Sequence, residues 1–299
     1  MHPPLRDPSV PVTRVLVTGA AGQLGAVVVR ALSDLEVTAH TRSTLDVADA
    51  AAVARAVSKA APHLIVNCAA FNDVDGAEDR AIEALAVNAF AVRNLARAAE
   101  DAGATLVHYS TDFVFDGSAD TPYTEDIRPS PRSTYAASKL LGEWFALEAP
   151  RAFVLRVESL FGSPAGWTGR RGTLDGIVSG LEQGREVRVF TDRIVSPSYV
   201  VDIAAATRHL ATSGAAPGLY HCVNAGHASW HDVAREVAEL LGIARPNLVP
   251  VTMDQIRLKA SRPRYCALSV EKLASAGFSM PAWQDALRRW LATRGALAT

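Results

Sequence analysis

The chain predicts an α/β fold, a doubly wound parallel sheet followed by a smaller α/β part toward the C-terminal end. Three observations carry this prediction. Apolar, strand-like runs alternate with alanine-rich helical stretches through the first half, the order that βαβ units produce. Those runs are continuously apolar, as strands covered on both faces are. The glycines and polar residues that stand out fall just after the runs, at the strand ends where such sheets bind ligands.

Taken in order, Val15-Leu16-Val17 is a short strand, and Gly19, Gly22 and Gly25 follow at intervals of three. A helix from about Gln23 to Leu32 comes next. A strand, a glycine turn and a helix N-terminus form a cradle for a pyrophosphate, because the backbone can approach closely and the helix dipole favours negative charge. The spacing differs from the commoner G-x-G-x-x-G, so the strand before and the helix after carry the reading. Val37 to His40 ends a second strand, and Asp49 to Ala61 is a helix that opens on a capping residue. Leu64 to Cys68 is a buried strand. Glu78 to Ala102 has helical periodicity and stops at Gly103, a good C-terminal signal. Thr105 to Ser110 and Phe153 to Val157 are two more strands. Beyond residue 160, Gly162 to Gly172 reads as a mobile loop, and helices are expected near Trp230 to Leu241 and Pro281 to Leu291. No internal repeat or low-complexity linker is evident.

Composition narrows the function. The 299 residues are 49% hydrophobic with a net charge of −1, enough apolar material for a large core and no basic surface for nucleic acid. No run of about 20 apolar residues is present, so no transmembrane helix is expected. Residues 1–11 hold four prolines and no apolar segment. They read as a short disordered tail, not a signal peptide. Cys68, Cys222 and Cys266 are too widely spaced for a disulfide framework or a zinc pattern, and a reducing cytoplasm is the simplest setting. His221, His227 and His231 lack acidic partners in sequence, so no metal is expected. No Gly-x-Ser-x-Gly elbow of a serine hydrolase occurs.

The strongest single motif is Tyr135 with Lys139. Lys occurs at four positions only (59, 139, 259 and 272), so this spacing is not a common accident. On a helix, residues i and i+4 share a face. An ammonium beside a phenol favours the phenolate and lowers its pKa, tuning it to exchange a proton with an alcohol or carbonyl oxygen. At the end of the second strand, His40-Thr41-Arg42-Ser43 offers an Arg and no carboxylate. An Arg there suits the 2′-phosphate of NADP, where an acidic residue would suit the ribose of NAD.

Val17-Thr-Gly-Ala-Ala-Gly-Gln-Leu-Gly25, Val66-Asn-Cys-Ala-Ala-Phe-Asn-Asp-Val-Asp-Gly-Ala-Glu78 and Val87-Asn88 stand in order along the chain. So do Ser110-Thr-Asp-Phe-Val-Phe-Asp-Gly117, Tyr135-Ala-Ala-Ser-Lys-Leu-Leu-Gly-Glu143 and Ser196-Pro-Ser-Tyr-Val-Val-Asp-Ile-Ala204. With these motifs the chain resembles an extended short-chain dehydrogenase/reductase, and more narrowly the dTDP-4-dehydrorhamnose reductase family of sugar-nucleotide reductases. The likeness is clearest over residues 12–205.

The resemblance implies a Rossmann-like dinucleotide-binding domain over residues 12–160, with a returning segment at about 190–212. Residues 161–299 would mainly bind substrate. It implies NADPH as cofactor, with NADH as the alternative, held by Gly19, Ala21, Gly22, Gln23, Leu24 and Gly25, by Arg42, Asp46 and Val47, by Cys68, Ala69 and Ala70, and by Asn88. Asp46 could equally cap the next helix. Tyr135 would protonate the developing alkoxide, Thr111 would bond the reacting oxygen, and Lys139 would hold the cofactor ribose. Ser110, Asp112, Phe113, Glu158 and Arg193 would face a nucleotide-sugar substrate, with Arg193, Arg170 and Arg171 as candidate clamps for its diphosphate. A homodimer remains open.

The segment Arg156-Val-Glu-Ser-Leu-Phe-Gly162 departs from the Arg-Thr-Ser/Ala-Trp-Val-Tyr/Phe-Gly of many members, with Glu158 read in place of a small residue and Leu160 in place of an aromatic that would lie close to the sugar. Two alternatives therefore stay open: a reductase of a different keto-sugar, and a non-catalytic NADP-binding regulatory subunit.

Overall fold

Each central strand of the sheet buries both faces, and that sets the architecture. Val15 and Val17 enter one apolar layer while Leu16 enters the other, the period of two that a strand imposes. A computed structural model describes residues 11–164, 167, 169 and 172–295. Most of the expected N-terminal tail, part of the expected 162–172 loop, and Arg170 and Arg171 lie outside the described residues.

The elements run β1 (Arg14–Thr18), α1 (Gln23–Ala31), β2 (Glu36–His40), α2 (Ala50–Ala60), β3 (Leu64–Asn67), α3 (Val74–Asp79), α4 (Ala81–Leu85), a π-turn (Ala86–Phe90), α5 (Ala91–Asp101), β4 (Thr105–Thr111), a 3₁₀ turn (Asp112–Val114), α6 (Thr134–Leu147) and β5 (Ala152–Val157). There follow β6 (Leu160–Phe161), α7 (Thr173–Glu182), β7 (Val187–Phe190), β8 (Ile194–Val195), β9 (Ser198–Tyr199), α8 (Val200–Thr212), β10 (Gly218–His221), β11 (Ala228–Ser229), α9 (Trp230–Leu240), β12 (Leu248–Val251), α10 (Glu271–Ser275) and α11 (Trp283–Thr293).

The main sheet is six-stranded in the order β2-β1-β3-β4-β5-β10, and every pairing in it is parallel. The doubly wound prediction is therefore met. The chain leaves β1 toward one edge for β2 and returns to the other side for β3. The switch point, where ligands bind in such sheets, lies at the ends of β1 and β3. Residues β3, β4 and β5 are buried along their whole length, whereas edge strand β2 is partly exposed.

Local chemistry sets several boundaries. Asp49 caps α2 by accepting from the Ala51 and Ala52 amides, so the capping role left open for Asp46 belongs to Asp49. Ser133 caps α6 and Ser229 caps α9 in the same way. One expectation is corrected: the helix read over 78–102 is broken into α3, α4, the π-turn and α5.

The C-terminal part adds three two-stranded pairs, β6 with β9, β7 with β12 and β8 with β11. One apolar layer runs without interruption from Val15 and Val17, through Ile203 and Leu210 of α8, to Trp230, Trp290 and Leu291. Burying each such side chain contributes roughly 1.5–3 kcal/mol.

Candidate active site

The glycine turn sits where β1 meets the switch point. Gly19 has φ +66°, and a Cβ there would lie 2.5 Å from the Ala69 amide nitrogen and 2.6 Å from the Cys68 carbonyl. Only glycine tolerates both conditions. At Gly25 a Cβ would lie 2.3 Å from the Gly19 carbonyl oxygen, so α1 packs against the turn that precedes it. Gly22 is the N-cap of α1 and offers no side chain to its first amides, which leaves them free for an anion. Gln23 Nε2 donates to the Gly162 carbonyl at 2.6 Å, tying the turn to the far wall of the cleft.

A cavity of about 310 Å³ opens beside this turn. Of the residues expected from sequence, it is lined by Gly22, Gln23, Leu24, Gly25, Cys68, Ala69 and Ala70 on the turn side. Ser110, Thr111, Asp112, Phe113, Tyr135, Lys139 and Glu158 line the same cavity. Gly19, Ala21, Arg42, Asp46, Val47, Asn88 and Arg193 are not in that lining. The Arg42 side chain is 93% exposed just past β2, with Glu83 Oε1 at 3.7 Å. Asp46 is exposed and closes a tight turn by accepting from the Ala48 amide. Val47 is buried in the layer between α2 and α5.

Tyr135 and Lys139 fall on one buried face of α6, 8% and 3% exposed. The Phe113 ring meets the Tyr135 ring edge-on with centroids 5.6 Å apart. Lys139 Nζ donates to the Tyr109 carbonyl at 2.6 Å, and burial lowers its pKa to about 8. The tuning of Tyr135 runs opposite to the expectation. Burial, and then the Asp112 carboxylate, push its phenol above the ordinary value, against a hydrogen bond with Thr111 that lowers it. With the Lys139 ammonium engaged by a main-chain carbonyl, Tyr135 stays protonated, the form that can donate to an alkoxide.

Beneath this pair, Asn88 is fully buried. Its Oδ1 accepts from the Phe71 amide at 2.8 Å, and its Nδ2 donates to the Phe71 carbonyl and to Ser138 Oγ, both at 3.0 Å. This one side chain ties the segment after β3 to α6. The π-turn that contains it brings its carbonyl against α6, where a Cβ at Gly142 would lie 2.1 Å from that oxygen. At the strand ends, Thr18 Oγ1 donates to Asn67 Oδ1 at 2.7 Å and Asn67 Nδ2 meets His108 Nδ1 at 3.1 Å. That row of side chains crosses β1, β3 and β4.

Asp112 and Glu158, each 2% exposed, lie close together at the inner end of the cleft with Cys266. Burial raises both carboxyl pKa values, Glu158 well above its ordinary value, while the half-buried Arg193 lowers them. The Arg193 guanidinium also lies 5.5 Å from the centroid of the Phe113 ring. Ser110 Oγ, on the same wall, is buried without a partner.

Sequence reasoning missed Tyr109, which offers only a carbonyl, and Cys266, far along the chain. It also missed Ser159. Matched residue by residue, the aromatic of the family pattern falls on Ser159 and not on Leu160 as expected; Ser159 lines the cleft with φ +44°. A left-handed non-glycine residue is an unusual conformation and marks the position.

The residues present fit a nicotinamide dinucleotide: a turn open to close approach, uncapped amides at the start of α1, and the exposed Arg42 just past β2. A switch-point glycine turn facing a buried Tyr–Lys pair defines a short-chain dehydrogenase/reductase fold. Residues 13–295 match the model of the family described as RmlD substrate binding domain, and the chain belongs to that family. It is 36% identical over 290 residues to a dTDP-4-dehydrorhamnose reductase of Streptomyces griseus, covering 94% of this chain and 92% of that protein. It is 38% identical over 280 residues to a dTDP-4-keto-6-deoxy-D-glucose reductase of Streptomyces niveus, covering 92% and 95%. Among solved structures it is similar to a dTDP-4-dehydrorhamnose reductase from Bacillus anthracis in complex with NADP. The TM-score is 0.88 at 32% identity, over 94% of this chain and 99% of that one.

Proposed function

We propose that the chain is an NADPH-dependent reductase of a nucleotide-linked 4-keto-6-deoxy sugar, most like the reductases that form dTDP-L-rhamnose. One observation carries this reading: Thr111, Tyr135 and Lys139 line the same cavity as Gly22 and Gly25 of the glycine turn. Bound NADPH would supply the hydride for the carbonyl carbon. Tyr135, held protonated by burial, donates its proton to the resulting alkoxide. Thr111 Oγ1, which donates to Asp112 Oδ1 at 2.9 Å, would turn its one proton to the same oxygen, where a hydroxyl acts most strongly on developing charge. Lys139 would hold the ribose, Arg42 would pair with the 2′-phosphate, and the amides at the start of α1 would hold the pyrophosphate. Residues 161–299 mainly bind the sugar nucleotide.

No helix among the described residues is long and apolar enough to cross a membrane. The three unpaired cysteines suit a cytoplasmic setting. A homodimer would cover the exposed Ile82, Phe90, Trp144 and Leu147.

The test is loss of NADPH absorbance with dTDP-4-dehydrorhamnose, run beside Tyr135→Phe. The variant should turn over roughly 10²–10⁴-fold more slowly with NADPH affinity nearly unchanged. An unimpaired rate in the variant would rule out the tyrosine step.

A further inference from the structure

The reduction leaves one buried cluster beside Thr111 without a task. Asp112 and Glu158 both line the cleft, and each has one oxygen engaged. Asp112 Oδ1 accepts from Thr111 Oγ1 at 2.9 Å, and Glu158 Oε2 accepts from the Ser196 amide at 2.8 Å. The other oxygens, Asp112 Oδ2 and Glu158 Oε1, are buried without a hydrogen-bond partner. Buried acceptors in that state are costly and call for donors.

Charge narrows what can supply them. Arg193 is the cation that acts on both carboxylates, and its Nε is likewise without a partner. With both carboxyls ionised, one guanidinium leaves one negative charge over; burial keeps a proton on Glu158 until a cation displaces it. A divalent cation among Asp112, Glu158 and Cys266, whose ligand atoms lie within 4.8 Å of one another, would overshoot unless the thiol ionised. Burial holds the Cys266 thiol well above its usual range. A hydroxyl brings a single donor for two oxygens and no charge. An ammonium brings one positive charge and three donors.

Position narrows it further. Asp112 follows Thr111 directly and is bonded to its hydroxyl, so its free oxygen lies next to the place proposed for the keto oxygen. The group it meets belongs on a carbon adjacent to the keto carbon. We infer that Asp112 and Glu158 form a subsite for an amino group on that carbon, making the substrate a nucleotide-linked amino keto-sugar. This deepens the reductase reading and rests on it. Glu158, in place of the small residue of the family pattern, makes the subsite a property of this chain.

The test uses three nucleotide-linked 4-keto sugars that differ only at carbon 3, bearing an amino group, a hydroxyl or a hydrogen. Relative kcat/KM is measured for the wild type, Glu158→Ser and the isosteric Glu158→Gln. Separately, calorimetry with NADP⁺ present measures binding of the matching 4-hydroxy sugars, which needs no turnover. The wild type should favour the amino sugar by about tenfold or more in both measurements, the scale of a charge-assisted hydrogen bond. Both variants should lose most of that preference. Equal or better handling of the hydroxyl or deoxy sugar by the wild type overturns the inference, as does a preference that survives in both variants. If no sugar is reduced, the reductase reading fails while the binding preference still decides the subsite. If none binds, both fail.

Discussion

Two buried arginine–carboxylate clusters lie at the end of β5, and they are built to different standards. In the first, Arg156 and Glu143 form a two-pronged pair, Nε to Oε1 at 2.8 Å and one terminal nitrogen to Oε2 at 2.7 Å. The Arg156 guanidinium also lies 4.9 Å from the centroid of the Phe115 ring. Both oxygens of Glu143 are used, and charge balances. In the second, Arg193 faces Asp112 and Glu158, a free oxygen remains on each, and charge balances only while Glu158 keeps a proton. Only the second opens on the cleft. A finished pair fixes α6 to β5 and asks nothing of solvent or ligand. An unfinished one costs free energy until something arrives, which is how a binding site differs from a structural joint.

Glu143→Gln should break the finished pair with the largest effect. It leaves a buried guanidinium without its counter-charge, at a cost of about 3–5 kcal/mol, read by denaturant unfolding. A loss under about 1 kcal/mol would mean that Arg156 is better solvated than its burial suggests.

Glu158→Gln should have the opposite sign and a smaller size, a gain on the order of 1 kcal/mol. Burial raises the folded-state pKa of Glu158 well above 4.5. As pH climbs from there the folded chain keeps a proton that the unfolded chain gives up, so stability falls. The gain in Glu158→Gln should therefore be absent near pH 4 and grow toward neutrality. A pH-independent difference would contradict the buried carboxyl.

The smallest effect sharpens the first cluster. His221 Nε2 lies 3.4 Å from Arg156, and burial, then that cation, lower its pKa from 6.5 to about 3. The stability this gives is fully present above pH 6.5 and lost as pH falls toward 3. From pH 7 to 6 the loss is about 0.7 kcal/mol. Melting curves of His221→Gln should show a correspondingly flatter pH dependence.

The contrast also explains what the sequence could show. The strands, the glycine turn and the Tyr135–Lys139 spacing are local patterns, and backbone periodicity decides them within a few residues. The break in the 78–102 helix is not local, because Asn88 bonds to Phe71 and Ser138, 17 and 50 positions away. Nor was the direction of the Tyr135 pKa legible. It depends on how deeply α6 is covered and on Asp112, neither of which the four-residue spacing contains. Glu158 stood out as a departure, but its meaning comes from Arg193 and Cys266, which only the folded chain brings to it. The finished pair was equally hidden, since Glu143 and Arg156 are simply two charged residues in the sequence.

The apolar layer that runs unbroken from Val15 to Leu291 has a mechanical consequence. Two lobes joined by a thin linker can swing apart and shut over a substrate. Here a swing would have to tear Ile203, Leu210 and Trp290 from one shared interior. Access to the cleft therefore falls to the segments at its rim, and a fragment ending near residue 160 would leave one side of the sheet bare and prone to aggregate.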